Sequence, residues 1–555
     1  MPEISILPEF LINKIAAGEV IERPASVVRE LIDNSIDASA KKISVEIVHG
    51  GKKLIKVIDD GEGMDRKNAS LCFERHATSK IKSEDDLFNI FTLGFRGEAL
   101  PAIASVSKVT MITSQPDSPN GTKIETRAGY ERLITDAPAW RGTCVEVRDI
   151  FYNTPARRKF LKSVSTELSH IIDVIMQKAL SYPEMSFSLI HNGRDIISVP
   201  EAGSRMERFI QLYGEELSNE FFDASEEGDG IKLYGFFSFI EFARATRSYQ
   251  YIFVNRRAVK NPTVSHAVYN AYSSLIPKDR HPAFFLFLDI NPGKVDVNVH
   301  PVKREVRFDS PEEIHKLITL ALNKNLSKDS HVTGMQGYTP SYEWTETRGP
   351  FAVHDSTGFQ TDILTYEAVP HARYFYIGES FIAEITEGGL TIIDQHAAHE
   401  RILYEKFLKK TSIEVESLLF PARIELPARE YNVIMSHKKL LHDFGLDFDE
   451  FGLNNVIVRS MPRELLKADI KGLLLDIASG ILEEHGTGKE KLMHTTAARL
   501  ACHKAVRGDE GLKQGEIIRL LSELEKTEMS DRCPHGRPTR IHFSIRDLRR
   551  LFKRE

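Results

Sequence analysis

Cysteine is scarce in this 555-residue chain, and its four copies, Cys72, Cys144, Cys502 and Cys533, are too scattered for a disulfide framework. No apolar run approaches the length needed to span a bilayer, and the start, Met1-Pro2-Glu3-Ile4-Ser5, has no basic segment leading into an apolar stretch. These absences exclude a disulfide-stapled or membrane-embedded class and lead us to expect a cytosolic protein. Nor is there a large excess of one charge. The net charge of -6 argues against broad affinity for phosphate backbones. Local basic runs remain, Arg157-Arg158-Lys159 and Arg549-Arg550 with Lys553-Arg554, each readable as a DNA-contacting patch or as a solvated face.

What is present suits several folded domains. Hydrophobic residues make up 41% and charged residues 27%, the balance of ordered globular proteins. The length is too great for one core, so roughly three or four domains are expected. Residues 1–325 read as mixed helix and strand, with a hairpin signal at His49-Gly50-Gly51-Lys52. From residue 327 to 370 the chain is rich in Ser, Thr, Gly and Pro and lacks periodicity, as a linker does. Ordered α+β patterning resumes near Tyr374.

The first chemical constellation begins on a predicted helix over residues 24–38. Pro24 suits its first turn, and Val28, Leu31, Ile32 and Ile36 form its apolar face. Glu30, Asp33, Asn34 and Asp37 share the opposite face within an arc of roughly 100°. Acids on a wet face serve solubility alone, so this helix by itself assigns nothing. A strand-like run, Leu54-Ile55-Lys56-Val57-Ile58, then ends in Asp59-Asp60-Gly61-Glu62-Gly63. A carboxylate followed by spaced glycines can accept a bond from an exocyclic amino group while backbone approaches a flat base. Adenine offers that amino group where guanine offers a carbonyl. Farther on stand Arg75-His76-Ala77-Thr78-Ser79-Lys80, the glycine-bearing loop Gly94-Phe95-Arg96-Gly97 before a probable helix, and Arg141-Gly142-Thr143-Cys144 turning into a strand. Glycine-bearing loops can aim backbone N–H groups at phosphates.

Four such pieces in this order resemble the motifs of the GHKL ATPases, the superfamily of gyrase, Hsp90, histidine kinases and MutL. Ile15-Ala16-Ala17-Gly18-Glu19-Val20, the strings at residues 75–80 and 94–100, and Phe151-Tyr152-Asn153-Thr154-Pro155-Ala156-Arg157-Arg158 resemble the MutL family specifically. The resemblance implies ATP and Mg2+ as cofactors. Glu30 would be the general base, Asn34 a Mg2+ ligand, and Asp59 with Gly61, Gly63 and Thr143 the adenine site. Thr78, Ser79, Lys80, Gly94, Phe95, Arg96 and Gly97 would line the phosphates. Lys303, in His300-Pro301-Val302-Lys303, would reach the terminal phosphate from a second domain.

A second constellation follows Thr391-Ile392-Ile393, a short strand leading into a helix. His396 and Glu400, four residues apart, share a helical face, and Asp394 sits just before it. Such a pair is common by chance. Two of the four cysteines nevertheless fall beside further candidate ligands, in Ala501-Cys502-His503-Lys504 and Cys533-Pro534-His535-Gly536-Arg537-Pro538. Thiolate, imidazole and carboxylate together suit zinc, while oxygen ligands suit manganese or magnesium. The segment from Asp394 to Glu405 resembles the DQHA-x-x-E-x-x-x-x-E signature of DNA-nicking MutL proteins, and Cys533 to Pro538 resembles their CPHGRP signature. Asp394 would then hold a catalytic Mn2+ or Mg2+, and His396, Glu400, Cys533 and His535 a neighbouring ion, zinc by preference, with Cys502 as a further ligand. A zinc knot that only holds the domain together is the alternative. His503 stands where the family carries Arg or Lys. Glu405 lies nine residues after His396, about half a turn out of phase, and is expected to be structural.

The architecture implied is α+β and multidomain. A Bergerat-type α/β sandwich ATPase (1–215) precedes an S5-like α/β transducer (216–326), a linker (327–370) and an α/β dimerisation and nuclease domain (371–555) with a regulatory subdomain inserted near 425–495. The implied function is mismatch repair by an ATP-operated homodimeric clamp on DNA in the bacterial cytosol and nucleoid, recruited by the mismatch sensor MutS. Arg157, Arg158 and Arg256 are candidate phosphate contacts. Glu416-Ser417-Leu418-Leu419-Phe420-Pro421 is a degenerate sliding-clamp peptide or a strand running into a turn. A matchmaker scaffold that cuts nothing is the rival function.

Overall fold

The structure, a computed structural model, describes residues 21–81, 92–94, 97–128, 131–277, 280–296, 306–326, 374–377, 380–386, 388–409, 413–484, 488–505 and 512–554. The expected linker, Phe95, Arg96, Lys303 and the string at 15–20 lie outside them. The chain clusters into two compact units, Met1–Asn323 with Lys406–Lys504, and Lys324–Glu405 with Ala505–Glu555.

The first unit opens with an eight-stranded sheet built from β1 (Lys42–Val48), β2 (Leu54–Asp59), β3 (Lys108–Ser114), β4 (Gly121–Arg127), β5 (Glu131–Ala137), β6 (Gly142–Arg148), β7 (Ser186–His191) and β8 (Arg194–Val199). Their order is β5-β4-β3-β6-β2-β1-β7-β8, with β1 and β7 parallel and the other neighbours antiparallel. The hairpin expected at His49-Gly50-Gly51 joins β1 to β2, and all three residues take positive φ. Alternation along β2 buries Ile55, Val57 and Asp59 on one face. The helix Pro24–Asp37 covers that face with Val27, Val28, Leu31 and Ile32, and the longer helix Val164–Ser181 packs beside it. Because the period is two residues, a carboxylate at the end of an apolar strand is carried under the helix rather than into solvent.

A second sheet follows, β12-β11-β13-β10-β9, from β9 (Phe221–Gly228), β10 (Ile231–Ser238), β11 (Gln250–Val254), β12 (Arg257–Val259) and β13 (Phe284–Ile290). Its core is aromatic. Phe209, on a helix capped by Ser204, stacks on Phe236 at 4.8 Å and meets Phe285 edge-on at 4.9 Å. The same unit contains a three-stranded sheet, Val415–Glu425, Asn455–Pro462 and Asp447–Glu450 in spatial order, with the helices Ala428–Ser436 and Ile470–Glu483. Pairing of its first strand lapses between Ser417 and Ala422, where Leu419 and Phe420 are exposed.

The second unit is a four-stranded antiparallel sheet, Tyr374–Ile377, Phe381–Thr386, Gly389–Asp394 and Arg540–Ser544. One face, with Ile382 and Ile393, packs on Ala398 and on Leu520, Leu521 and Leu524 of the helix Gln514–Glu525. The strand registers place Phe375, Ile377, Phe381, Ile385 and Ile541 on the other face, all exposed. No helix among the described residues is long and apolar enough to cross a membrane.

Adjacent residues on one helix give a direct test of this packing. Phe209 is fully buried and Ile210 is 37% exposed. Phe209→Ala is expected to cost about 3–5 kcal/mol by losing contacts and leaving a cavity, whereas Ile210→Ala should cost well under half as much. Urea unfolding followed by circular dichroism measures both, and equal losses would mean that the aromatic core is not packed as described.

Candidate functional site

The nucleotide-binding candidates converge around the helix Pro24–Asp37. Asp59 is buried, and its Oδ2 accepts a bond from Ser35 Oγ at 2.7 Å. Its Oδ1 accepts from the backbone amides of Gly61 at 3.0 Å and Thr143 at 3.1 Å. Burial raises the Asp59 pKa above the ordinary carboxylate value, and these hydrogen bonds counter the rise. A carboxylate has about four acceptor positions, so three donors leave capacity for one more. Thr143 is held in turn by Thr113, hydroxyl to hydroxyl at 2.9 Å. Gly63 takes φ +63, and a Cβ there would lie 2.0 Å from the Ser114 carbonyl oxygen. Only glycine fits that approach.

Beside Ser35 on the same helix lies the charged end of the site. Lys80 Nζ donates to Asn34 Oδ1 at 2.9 Å and to Asp37 Oδ2 at 2.6 Å. Asp37 also accepts from the amides of Leu93 at 2.9 Å and Gly94 at 3.1 Å, fastening the glycine-bearing segment to the helix. Lys80 thus sets a cation beside the amide oxygen expected to face Mg2+. Glu30 is half-buried one turn before Asn34 on the same helix. The amide of His76 donates to the carbonyl of Gly97, bringing the 75–80 segment against the end of the loop; Thr78 is half-buried there and Ser79 is exposed.

Three contributors to this region escaped the sequence reading. Asp33 is paired with Lys178, a lysine set among the apolar residues of the helix Val164–Ser181. Asp37, read only as part of a polar face, is the fastening point just described. Arg257, on β12 of the second sheet, donates to the carbonyl of Thr92. Burial lowers the Arg257 pKa, and Asp33 and Asp37 oppose that fall. A lysine set among apolar residues of a helix is a visible signal; nothing local marks Arg257.

In the second unit the strand Gly389–Asp394 delivers its last residue to the start of the helix Gln395–Lys409. Asp394 Oδ1 accepts from the Ala397 amide at 3.0 Å, as an N-terminal cap does. Glu400 is buried between two imidazoles, with His396 Nε2 at 3.3 Å from Oε1 and His535 Nδ1 at 3.5 Å from Oε2. Burial opposes ionisation of Glu400, but hydrogen bonds from His396 and His535, with their charge, outweigh it and hold the carboxyl well below its usual range. His535 stands on a tight turn closed by bonds from the Cys533 amide to the Arg537 carbonyl and from the Gly536 amide to the Cys533 carbonyl, and Cys533 is buried at its base. His396 meets one oxygen of Glu400 and His535 the other, and imidazole and carboxylate are donor types that suit a zinc-type ion.

Cys502 lies on the helix Lys489–Ala505, which begins in the first unit, and is half-buried. Glu405 is spent on structure. Its carboxylate accepts from the amide of Glu528 at 2.9 and 3.0 Å and from that of Met529 at 3.3 Å, tying the helix to the segment that leads into the Cys533 turn.

Three family models match the chain. A histidine kinase-, DNA gyrase B- and HSP90-like ATPase model matches residues 21–130, a DNA mismatch repair protein C-terminal domain model residues 209–327, and a MutL C-terminal dimerisation domain model residues 376–512. The DNA mismatch repair protein MutL of Thermodesulfovibrio yellowstonii is 40% identical over 557 residues, with 100% of each chain covered. The MutL protein of Syntrophotalea carbinolica is 37% identical over 627 residues, covering 100% of this chain and 99% of its own. A crystal structure of the N-terminal domain of a DNA repair protein is 25% identical with a TM-score of 0.50, covering 57% of this chain and 98% of that one. Identity of this extent along the whole length, with an ATPase model on the residues that gather around Asp59, makes the chain a member of the MutL family of DNA mismatch repair proteins.

Proposed function

We propose that this chain is an ATP-binding and ATP-hydrolysing homodimeric clamp that nicks DNA through its C-terminal metal site and couples mismatch recognition by MutS to later repair steps. The observation that carries the nuclease half is the buried Glu400 held between His396 and His535, with Asp394 at the head of the same helix.

At the nucleotide site, Asp59 has acceptor capacity left for the adenine amino group, and Asn34 offers an amide oxygen to Mg2+. Glu30, one turn away, is the base that orients and deprotonates water. Lys80 and the amides near Gly94 supply positive charge and donors for phosphate oxygens. Lys303 is proposed to reach the terminal phosphate from the second domain.

At the C-terminal site, His396, Glu400, Cys533 and His535 would hold a zinc ion, with Cys502 as a further ligand, and Asp394 would hold a catalytic Mn2+ or Mg2+. Such ions lower the pKa of water and neutralise charge on the attacked phosphate. The capping bond occupies one oxygen of Asp394 and leaves the second available for an ion. The rival matchmaker reading gives the same cluster a purely structural role.

The exposed apolar face of the Phe375, Ile377 and Phe381 sheet supports the homodimer, and the dimerisation model covers Ile377 and Phe381 on it. Arg157, Arg158 and Arg256 are proposed phosphate contacts. The exposed Leu419-Phe420 bulge supports a sliding clamp as a further partner.

Glu30→Ala should lower ATP turnover about 100-fold or more while leaving nucleotide binding within a few-fold, since general-base catalysis contributes that much to rate and little to affinity. Phosphate release and equilibrium binding of a fluorescent ATP analogue separate the two; unchanged turnover removes Glu30 from its role. Asp394→Asn should abolish Mn2+-dependent nicking of supercoiled plasmid with the thermal midpoint within a few degrees, because Asn also caps helices. Equal nicking by both proteins would leave the matchmaker. Phe381→Glu should turn dimers into monomers in analytical ultracentrifugation, and an unshifted dimer would place the interface elsewhere.

A further inference from the structure

Glu400 and His535 meet although they lie on separate elements, so their spacing is set by whatever holds the Cys533 turn against the helix Gln395–Lys409. The turn is closed within itself by the bonds from the Cys533 and Gly536 amides, and Arg532 and Pro538 form an isolated antiparallel bridge across its neck. Internal closure fixes the shape of the turn but not its place. At the outgoing end Thr539 is fully buried. Its amide donates to the Asp531 carbonyl at 3.0 Å, its hydroxyl donates to the Ser530 carbonyl, and its own carbonyl accepts from the Asp394 amide at 2.9 Å. On the incoming side Glu405 gathers the amides of Glu528 and Met529. Between these two fastenings stands Arg401, whose Nε donates to the Arg532 carbonyl.

Arg401 is 6% exposed, and a guanidinium taken out of water is costly unless its donors are used. Glu405 lies 3.8 Å from its Nη1, beyond hydrogen-bond length, and the Tyr404 ring centroid is 5.3 Å from the guanidinium. The short contact goes to a main-chain carbonyl. An arginine kept to neutralise an acid turns its fork toward a carboxylate, whereas a bond from Nε to a carbonyl holds backbone. The position of the bond gives it a consequence. Arg401 directly follows Glu400 on the helix, and Arg532 directly precedes Cys533 on the turn. The two segments are therefore joined one residue away from a candidate ligand on each side, where little slack remains between the join and the donor atoms. Groups behind metal ligands orient them, and their removal commonly weakens metal binding about 10–100-fold.

We propose that Arg401 is a positioning residue of the C-terminal metal site: by holding the Arg532 carbonyl it sets the Cys533–His535 turn opposite Glu400 and so sets the affinity for the ion. The proposal rests on the metal reading above for the ion, and on the hydrogen bonds alone for the placing of the turn.

Two substitutions isolate the bond. Glutamine carries Nε2 as many bonds from Cα as arginine carries Nε, so Arg401→Gln keeps a donor at that place and removes the charge, while Arg401→Met puts a methyl group there and removes both. In the full chain, titrated with zinc against a fluorescent chelator, Arg401→Met should weaken binding about 10–100-fold and Arg401→Gln less than about threefold. Hydrogen exchange of the metal-free chain, read by mass spectrometry, should be faster across residues 528–538 in Arg401→Met, unchanged in the helix Gln514–Glu525, and as in the unsubstituted chain for Arg401→Gln. Unaltered affinity and exchange in Arg401→Met would overturn the proposal. So would Arg401→Gln binding as weakly as Arg401→Met, because charge rather than the bond would then govern the site. Faster exchange throughout the Gln514–Glu525 helix as well would overturn it by showing a general role in folding. An unsubstituted chain that takes up no zinc would remove the zinc reading and the affinity clause with it, while the exchange comparison, made without metal, still decides whether Arg401 places the turn.

Discussion

A carboxylate taken out of water keeps its charge only if hydrogen-bond donors or cations surround it, and that constraint shapes the surroundings of Asp59, Glu400 and Asp476. Asp59 is carried beneath a helix by strand alternation and is paid back by Ser35, Gly61 and Thr143. Glu400 is met by two imidazoles, and Asp476 by Arg244 and His503. The outcome differs with the donors. Hydroxyl and amide donors leave Asp59 with its pKa raised, suited to reading a neutral base edge. Cationic donors pull Glu400 and Asp476 down, suited to a permanent negative charge that a metal or an arginine can use.

How much of this could be read in the sequence follows from the distance over which each signal acts. The helix Pro24–Asp37, the hairpin at His49 and the strand and helix around Asp394 depend on residues within a few positions of one another, through a proline at a helix start, paired glycines and apolar periodicity. Those were legible. So was the phase argument on Glu405, which needs only helical geometry, and the structure uses that residue to hold the amides of Glu528 and Met529. The partners that complete the sites come from far along the chain. Nothing near Arg257 announces Thr92, and nothing near Lys178 announces Asp33. A lysine in an apolar helix says that a partner exists without saying which.

The same distinction separates residue type from residue role. His396, Glu400 and His535 are expected together because their types suit one ion and their strings resemble a family signature, and the strand order brings both imidazoles to Glu400 although 135 positions separate Glu400 from His535. Asp394 was chosen on the same grounds, yet its observed duty is to cap a helix. The two duties are compatible, because capping occupies one oxygen and fixes the direction of the other.

The helix Pro24–Asp37 is joined to the rest of the first unit through groups that each contact two elements. Arg257 joins the second sheet to the Thr92 carbonyl, one residue before the amides that Asp37 gathers. Lys178 joins the helix Val164–Ser181 to Asp33. Asp33 and Asp37 lie one turn apart on a single helix, so a shift of that helix would be felt by both connections. Charged contacts suit this work better than apolar packing does. Their strength falls when the partner is neutralised or displaced, whereas apolar burial depends on area alone and does not register the charge of what is bound.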